Sequence, residues 1–308
     1  METLYITHPS CRLHEMGGWH PESPERLDAI SDQLLASGLM PLLDVRTAPE
    51  ATREALLRVH DADYLDYLAA SVPKDGGYTP IDPDTLMNQH TLQAALHAAG
   101  AAVAAVDAVM TGQAETAFCS VRPPGHHACR RSAMGFCFLN NVAIGATHAM
   151  AAHGVRRLAI VDFDVHHGNG TEEIFAGDER VLMCSFFQHP FFPYGETGHP
   201  APNMLNVPVP AYTTGPAVRT IVAEQWLPRL EAHRPELILV SAGFDAHRED
   251  DMGQMGLVES DYAWITERIV KVADRHAAGR VVSTLEGGYN LSALGRSVVA
   301  HIRALSKL

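Results

Sequence analysis

The sequence predicts an α/β fold in which helices flank a central, mostly parallel sheet. Short apolar runs alternate along the chain with longer segments of helical periodicity. Several of the short runs are apolar at every position, as expected of strands that helices cover on both faces. No polar linker or shift in composition divides the 308 residues. We therefore predict a single domain over residues 1–308, with its functional site at the carboxyl ends of the strands.

Six short segments are predicted to be strands because they are rich in branched and apolar residues. Six longer segments are predicted to be helices. The first of these opens with Pro24 and Glu25, the second is rich in alanine and ends near Gly112, and the third ends at Gly154, all of which are typical helix boundaries. The predicted strands are residues 4–6, 116–119, 158–163, 181–185, 237–240 and 281–285, and the predicted helices are residues 24–37, 91–110, 141–153, 216–233, 260–276 and 291–305.

Three stretches rich in proline and glycine, residues 17–24, 73–83 and 190–210, are predicted to be long loops. No internal repeat or low-complexity tract accompanies them. Loops of this length inside a compact domain are often functional, so we expect them to border the site.

Charge and composition narrow the partners and the compartment. The chain carries 23 Lys and Arg against 36 Asp and Glu, a net charge of −13 with neutral histidine, which disfavours nucleic-acid backbone and favours cationic substrates. The five cysteines form no CxxC motif, and the first residues lack a basic, apolar leader. The longest apolar stretch, residues 94–110, is predicted to be too short and too weakly apolar to span a bilayer. We expect a cytoplasmic protein with no nucleic-acid or membrane partner and with Cys11 as its most exposed thiol, while self-association stays open.

Ionisable side chains and glycines follow four of the predicted strands. Because the carboxyl ends of parallel strands meet at one edge of a sheet, we expect these side chains to converge on one site. The four segments are residues 122–128, 162–171, 241–247 and 286–290.

A metal site is predicted where the third and fifth strands end. Asp164 and His166 lie two residues apart in an extended segment, so their side chains point to the same face. Asp245 is the natural third ligand, and Asp162 lies one step deeper on that face. Carboxylate and imidazole ligands suit Zn²⁺, Fe²⁺ or Co²⁺, and catalytic zinc takes three protein ligands. The Asp-x-His pair alone would also fit a buried ion pair; its position at the strand ends favours a metal.

A general base and an oxyanion donor are predicted beside this metal. His126 and His127 follow Pro-Pro-Gly on a stiff turn, and Asp162 and Asn169 are available to orient them. Such a pair fits the removal of a proton from metal-bound water, although one histidine of an isolated pair is often only structural. The phenol of Tyr289 can stabilise an oxyanion, or simply pack against its loop. The other histidines, which include those at positions 148 and 153, show no ligand spacing and are predicted to be surface or structural.

These segments resemble the motifs of the zinc-dependent histone deacetylase family, in the family's order. Residues 135–141, Gly-Phe-Cys-Phe-Leu-Asn-Asn, and residues 20–26, His-Pro-Glu-Ser-Pro-Glu-Arg, extend the resemblance over most of the chain. The chain is most similar to the class II-like bacterial deacetylases and acetylpolyamine amidohydrolases of the arginase/deacetylase superfamily. The resemblance implies an arginase/deacetylase-like fold, a Zn²⁺ cofactor with K⁺ in addition, and hydrolysis of an acyl amide by metal-activated water.

The resemblance also implies a role for each matched residue. His127 is the principal base, and Tyr289 polarises the carbonyl. Asn169 stands where some members carry Asp, which leaves His127 less basic. The implied zinc ligands are Asp164, His166 and Asp245; the catalytic group is His126, His127, Tyr289, Asp162 and Asn169; the substrate contacts are Phe136, Phe192, Gly135 and Met252; and the potassium site is Asp162, Asp164, His166, Ser185 and Phe186.

The predicted function is removal of acetyl or other acyl groups from lysine side chains of proteins or peptides. The alternative substrates are acetylpolyamines and other small acylated amines. Met252 stands where polyamine-selective relatives can carry Glu, and an apolar residue there offers nothing to a distant ammonium group. The acidic stretch Glu249, Asp250 and Asp251 is predicted to form a rim that suits a cationic peptide or a polyamine. A non-catalytic acyl-lysine-binding module is the alternative from another class, and the presence of every matched catalytic residue argues against it.

Overall fold

The predicted α/β architecture is confirmed. The computed structural model describes residues 3–195 and 201–308. In this part of the chain, eight parallel strands form one sheet in the order β2-β1-β5-β10-β9-β6-β7-β8, and β3 and β4 form a separate antiparallel hairpin. The strands are β1 Thr3–Thr7, β2 Leu43–Thr47, β3 Thr79–Asp82, β4 Thr85–Met87, β5 Thr116–Cys119, β6 Leu158–Asp162, β7 Val181–Gln188, β8 Met204–Val209, β9 Leu237–Ala242 and β10 Val281–Leu285.

Helices flank this sheet and cover its central strands. Every residue of β5, β6, β9 and β10 is buried, as the continuous apolar runs predict for a sheet that is covered on both sides. The helices are α1 Glu25–Ala36, α2 Arg53–Leu57, α3 Ala62–Ala70, α4 Thr91–Met110, α5 Asn141–His153, α6 Asn169–Phe175, α7 Gly215–Ile221, α8 Leu227–His233, α9 Glu259–His276 and α10 Leu291–Leu305.

The two strands at the edges of the sheet were not predicted. In β2 the burial alternates, and Asp44 and Arg46 form an ion pair 2.8 Å long, so this strand lacks a continuous apolar run. The other edge strand, β8, lies inside the predicted loop 190–210 and contains the exposed Pro208. Proline is tolerated at an edge because its missing N–H faces away from the neighbouring strand. Charged or proline-containing edge strands therefore escape an apolar pattern search.

The hairpin of β3 and β4 corrects the predicted loop 73–83. Both strands are short; β3 is only partly buried and contains Pro80, whereas Thr85 and Met87 of β4 are buried. Helices α2, α3 and α6 are also absent from the prediction; two of them have seven residues or fewer. The predicted helix 216–233 is divided into α7, a π-helical turn at Val222–Trp226, and α8. Pro228 has no N–H for the bond to residue 224, which accounts for the change in register.

Helix α4 is a core helix. By length and composition α4 is apolar enough to cross a membrane, contrary to the expectation from the sequence. However, 67% of the apolar stretch that meets this criterion is buried inside the protein. Its Gly100 approaches the backbone of Pro49 so closely that a Cβ would collide with the Pro49 carbonyl. All five cysteines are free and buried. The prediction that Cys11 is exposed is wrong, because its turn packs on α4 and its thiol lies 3.9 Å from the carbonyl of Ala94.

Candidate active site

The carboxyl ends of β5, β6, β9 and β10 deliver their polar segments to one cavity of about 320 Å³. The seven predicted site residues that line it are His127, Gly135, Phe136, His166, Phe192, Met252 and Tyr289. Three further lining residues, Asp84, Phe191 and Tyr194, escaped the sequence analysis, and Asp251, predicted to belong to the acidic rim, also lines the cavity.

The three predicted metal ligands lie together and are buried. His166 Nδ1 is 3.0 Å from Asp164 Oδ1 and 3.2 Å from Asp245 Oδ2. Backbone N–H groups orient both carboxylates. The N–H groups of His166 and Gly287 donate to Asp164, and the N–H of Val165 donates to Asp245, each with a donor–acceptor distance of 2.9 Å. The carboxylates are thus held in part by backbone N–H groups, and Asp164 Oδ1 and Asp245 Oδ2 lie beside the His166 ring.

This ligand set fits a divalent cation. Asp245 Oδ2 is buried and, although His166 Nδ1 lies 3.2 Å away, it accepts no hydrogen bond of suitable geometry within the described residues; such an oxygen is costly to bury unless an ion is bound. Burial and the neighbouring Asp164 raise the pKa of Asp245 to about 7, whereas His126 and His166 overcome the effect of burial and lower the pKa of Asp164. A Cβ on Gly287 would collide with Asp245 Oδ2. Two carboxylates and one imidazole are donors that zinc accepts.

The tandem histidines have different partners. His126 Nδ1 lies 3.0 Å from Asp162 Oδ2, and His127 Nδ1 lies 2.8 Å from Asn169 Oδ1. The amide nitrogen of Asn169 faces the sulfur of Met134 at 3.4 Å, which can only accept, and that of Cys129 at 3.6 Å, whose own S–H donates to the carbonyl of His127. The amide oxygen therefore faces His127, so that Nδ1 of His127 donates and Nε2 keeps its lone pair.

The two histidine rings have different electrostatic surroundings, although their centroids are only 4.0 Å apart. Burial disfavours both imidazolium ions, but the carboxylates of Asp164 and Asp162 raise the pKa of His126 to about 10. Burial together with the neighbouring His126 and His166 lowers the pKa of His127 well below its ordinary value. The neighbouring carboxylates thus favour the charged form of His126, whereas burial and the adjacent histidines favour the neutral form of His127, which can accept a proton.

Tyr289 is held in the cavity wall by its backbone and its ring. Its N–H donates to Asp250 Oδ2 over 2.6 Å, and the guanidinium carbon of Arg26 lies 4.9 Å from the ring centroid. Burial raises the pKa of the phenol well above its ordinary value, so the hydroxyl stays protonated and can donate. The ring of Phe136 meets it edge-on at 5.9 Å.

The predicted acidic rim is partly wrong. Asp250 is buried, and besides Tyr289 it accepts from the backbone N–H groups of Asn290 at 2.8 Å and Met252 at 2.9 Å. Glu249 forms an ion pair with Arg296. Among these three acids only Asp251 lines the cavity. An acid that follows a strand end can serve the backbone of a neighbouring loop as readily as the solvent, and sequence does not distinguish the two.

Glu286 connects the histidine segment to β9 and β10, a function that the sequence analysis missed. Its carboxylate accepts from the N–H groups of Gly125 at 2.7 Å and His126 at 3.1 Å, and from the Ser241 hydroxyl at 3.1 Å. Burial raises its pKa to about 7. An acidic residue between a buried strand and two glycines was the available signal.

Four more side chains shape the cavity mouth. The ring of Phe191 stacks on His166 with the centroids 5.5 Å apart, and Tyr194 is 77% exposed. Asp84 and Asp251 add two carboxylates. Of these residues, Asp84 and the two aromatic ones lie in or beside segments predicted to be long loops, so the loop prediction indicated their region but not their identity.

The strand ends of β6 and β7 carry the residues predicted to bind potassium. Asp162 pairs with Ser185 in the sheet register, and Phe186 follows on β7. Asp162 Oδ1 accepts from the N–H of Asp164 at 3.1 Å, and the Ser185 hydroxyl donates to Asn206 at 2.8 Å. The structure thus brings Asp162 side by side with Ser185 and within hydrogen-bond reach of Asp164, and the ion itself stays a prediction.

Comparison with known proteins agrees with this geometry. The chain is 40% identical to a histone deacetylase-like amidohydrolase of Pseudomonas aeruginosa over 89% of this chain and 76% of that protein. It is 37% identical to a probable deacetylase of Archaeoglobus fulgidus, over 94% and 82% of the two chains. It is 36% identical to the type-2 histone deacetylase 2 of Dictyostelium discoideum over 99% of this chain but only 21% of that protein.

A solved structure and a family model complete the comparison. The crystal structure of the HDA15 HD domain superimposes with a TM-score of 0.92 at 34% identity, covering 100% of this chain and 89% of the other. The model of the histone deacetylase domain matches residues 20–305. The relatives are named as deacetylases and amidohydrolases, enzymes that hydrolyse amides. The chain therefore belongs to the histone deacetylase family.

Proposed function

We propose that this chain is a zinc-dependent deacetylase that hydrolyses acyl-lysine side chains in proteins or peptides. The observation that carries the proposal is one cavity lined by His127, Tyr289 and His166, of which His166 belongs to the candidate metal triad with the buried Asp164 and Asp245. A binding module without catalysis would have no need of a tautomer-fixed base beside such a triad.

Each of these residues has a distinct role in the proposed hydrolysis. Zn²⁺ held by Asp164, His166 and Asp245 would polarise the amide carbonyl and acidify a water molecule. His127 accepts the proton of the attacking water at Nε2, because Nδ1 is committed to Asn169. Tyr289 donates its hydroxyl to the carbonyl oxygen as charge develops there. A protonated histidine of the pair then returns a proton to the leaving amine, which gives a carboxylate and a free amine.

The cavity walls favour an unbranched aliphatic stem. Phe136 and Phe192 line the cavity, and Gly135 lies so close to the Phe192 ring and the His127 ring that a Cβ would contact both at 3.0 Å or less. The apolar Met252 gives a second ammonium group no partner at its own position, and this is the ground on which we favour lysine over polyamine substrates. Asp84 and Asp251 at the mouth favour substrates with positive charge around the acylated lysine.

The potassium site belongs to the same proposal. K⁺ would be bound by Asp162, Asp164, His166, Ser185 and Phe186, through side-chain and main-chain oxygens at the ends of β6 and β7. The support is the register that sets Asp162 opposite Ser185. A cation there would offset the charge of Asp162 behind His126.

The substrate assignment is tested by comparing kcat/KM on acetyl-lysine peptides, longer acyl-lysine peptides and acetylpolyamines. We expect the acetyl-lysine peptides to be the best substrates; a strong preference for polyamines would overturn the assignment. Tyr289→Phe should lower kcat by about 10²–10³-fold, the usual effect of removing one oxyanion donor, and Asp164→Ala should abolish turnover. Wild-type rates in both variants would contradict the mechanism.

A further inference from the structure

We propose that helices α4 and α5 form a second divalent-cation site, separate from the catalytic triad, from Asp107, His148 and His153. We call this group the helix-pair site. One ligand atom from each residue lies within 4.8 Å of the others. Nε2 of His148 is 2.7 Å and Nε2 of His153 is 2.6 Å from the same oxygen, Oδ1 of Asp107. These histidines show no ligand spacing in the sequence and were predicted to be surface or structural; the structure brings them together with Asp107.

The fold explains why the sequence concealed this site. His148 and His153 are five residues apart, whereas ligands on one face of a helix are usually three or four apart. His153 is the last residue of α5, which ends at Gly154 with φ +67°. Helical side chains lean towards the amino terminus, so the His153 ring leans back towards His148. Asp107 comes from α4, the neighbouring helix.

The chemistry of the cluster suits a borderline cation. Two imidazoles and one carboxylate form a three-ligand set of the kind that binds Zn²⁺, Co²⁺, Ni²⁺ or Cu²⁺. Each Nε2 that points at the shared oxygen is a hydrogen-bond donor in one tautomer and a metal ligand in the other. The side chains of His148 and His153 are largely buried, while that of Asp107 is 49% exposed, so the site is preformed on one side and open to water on the other.

The helix-pair site is distant from the reacting atoms. Asn140 caps the start of α5 and donates to the carbonyl of Ala128 beside the tandem histidines, at 3.2 Å. From that cap to His153 the helix rises about 1.5 Å per residue, or roughly 20 Å in all. A cation at the helix-pair site would cross-link the far end of α5 to α4. We therefore expect it to stabilise the helix packing without taking part in hydrolysis.

Counting bound Zn²⁺ by equilibrium dialysis of the metal-stripped full chain tests the proposal. We expect the wild type to bind one more equivalent than His148→Gln, a variant in which the amide can still donate to Asp107 but is a poor zinc ligand. The same loss is expected for Asp107→Asn. Asp164→Ala should lose the other equivalent and keep this one, so failure at the catalytic triad would be distinguished from failure here.

Two further readouts guard against a folding artefact. His148→Gln should keep the wild-type circular dichroism spectrum and deacetylase rate, and added Zn²⁺ should raise Tm less in this variant than in the wild type. Equal Zn²⁺ stoichiometry in the wild type and in His148→Gln would overturn the proposal. A variant spectrum that matches the wild type while one equivalent is missing would support it.

Discussion

We expect the pH dependence of kcat/KM to change when the amide of Asn169, which accepts from His127, is replaced by a carboxylate. The amide oxygen lies 2.8 Å from Nδ1 of His127, so Asn169→Asp would place a negative charge about 4 Å from the centre of the imidazolium. At an effective dielectric constant of about 20, the attraction is about 4 kcal/mol. That energy corresponds to about three pKa units as an upper limit, and neighbouring opposite charges usually produce shifts of about 1–3 units.

The direction in which the pH profile should move follows from the role of His127 as the base. Its pKa is lowered in the native protein, so the base is neutral at pH values well below 6.5 and kcat/KM falls only when the pH drops through that low pKa. In Asn169→Asp the acidic limb of the kcat/KM profile should move to higher pH by about 1–3 units. Asn169→Leu, which has similar volume but no acceptor, should lower kcat without that upward shift. An unmoved acidic limb in Asn169→Asp would refute the assignment of His127 as the base.

Three further perturbations test separate parts of the site. Asp250→Asn should lower kcat by roughly 5–30-fold with little change in KM. Charge-assisted hydrogen bonds such as the one from the backbone N–H of Tyr289 to Asp250 are worth about 1.5–3 kcal/mol, and the neutral amide should retain only part of that energy. A changed KM at constant kcat would contradict this. Gly287→Ala should lose Zn²⁺ from the catalytic triad, because its Cβ would collide with Asp245 Oδ2, and a full Zn²⁺ content by elemental analysis would count against that triad. Met252→Glu should raise kcat/KM on acetylpolyamines by up to about fivefold, the worth of about 1 kcal/mol for a partly exposed ion pair, with neutral acetyl-lysine peptides as the control.

The sequence predicted the fold and the site best at positions where a residue pattern is compatible with only one structural environment. Continuous apolar runs predicted the fully buried central strands β5, β6, β9 and β10, because only a covered parallel sheet tolerates them. Asp164 and His166 were predicted to converge because side chains two apart in an extended segment share a face. They do converge, but beyond the end of β6, at a bend where the N–H of His166 donates to Asp164. The rule that sites form at the carboxyl ends of parallel strands then placed Asp245 beside them.

The remaining features depend on contacts between segments that are distant in sequence. Asp250 and Asp251 are adjacent and chemically identical, yet one serves backbone N–H groups and the other the cavity. The role of Glu286 as an acceptor for Gly125 arises across 161 positions of the chain. The Asp107 cluster needs the packing of α4 on α5. No periodicity within one segment reports such pairings.

The two edges of the sheet have a consequence for self-association. An unprotected edge strand offers a row of free backbone groups to a second chain and thereby promotes fibrous aggregation. Here one edge carries the Asp44–Arg46 pair, and the other carries Pro208, which has no N–H to offer. Stacking of copies through a shared sheet would leave buried charges at one junction and a missing donor at the other. If this chain forms oligomers, we expect the contacts to come from helices or loops, which would give discrete assemblies rather than open-ended polymers.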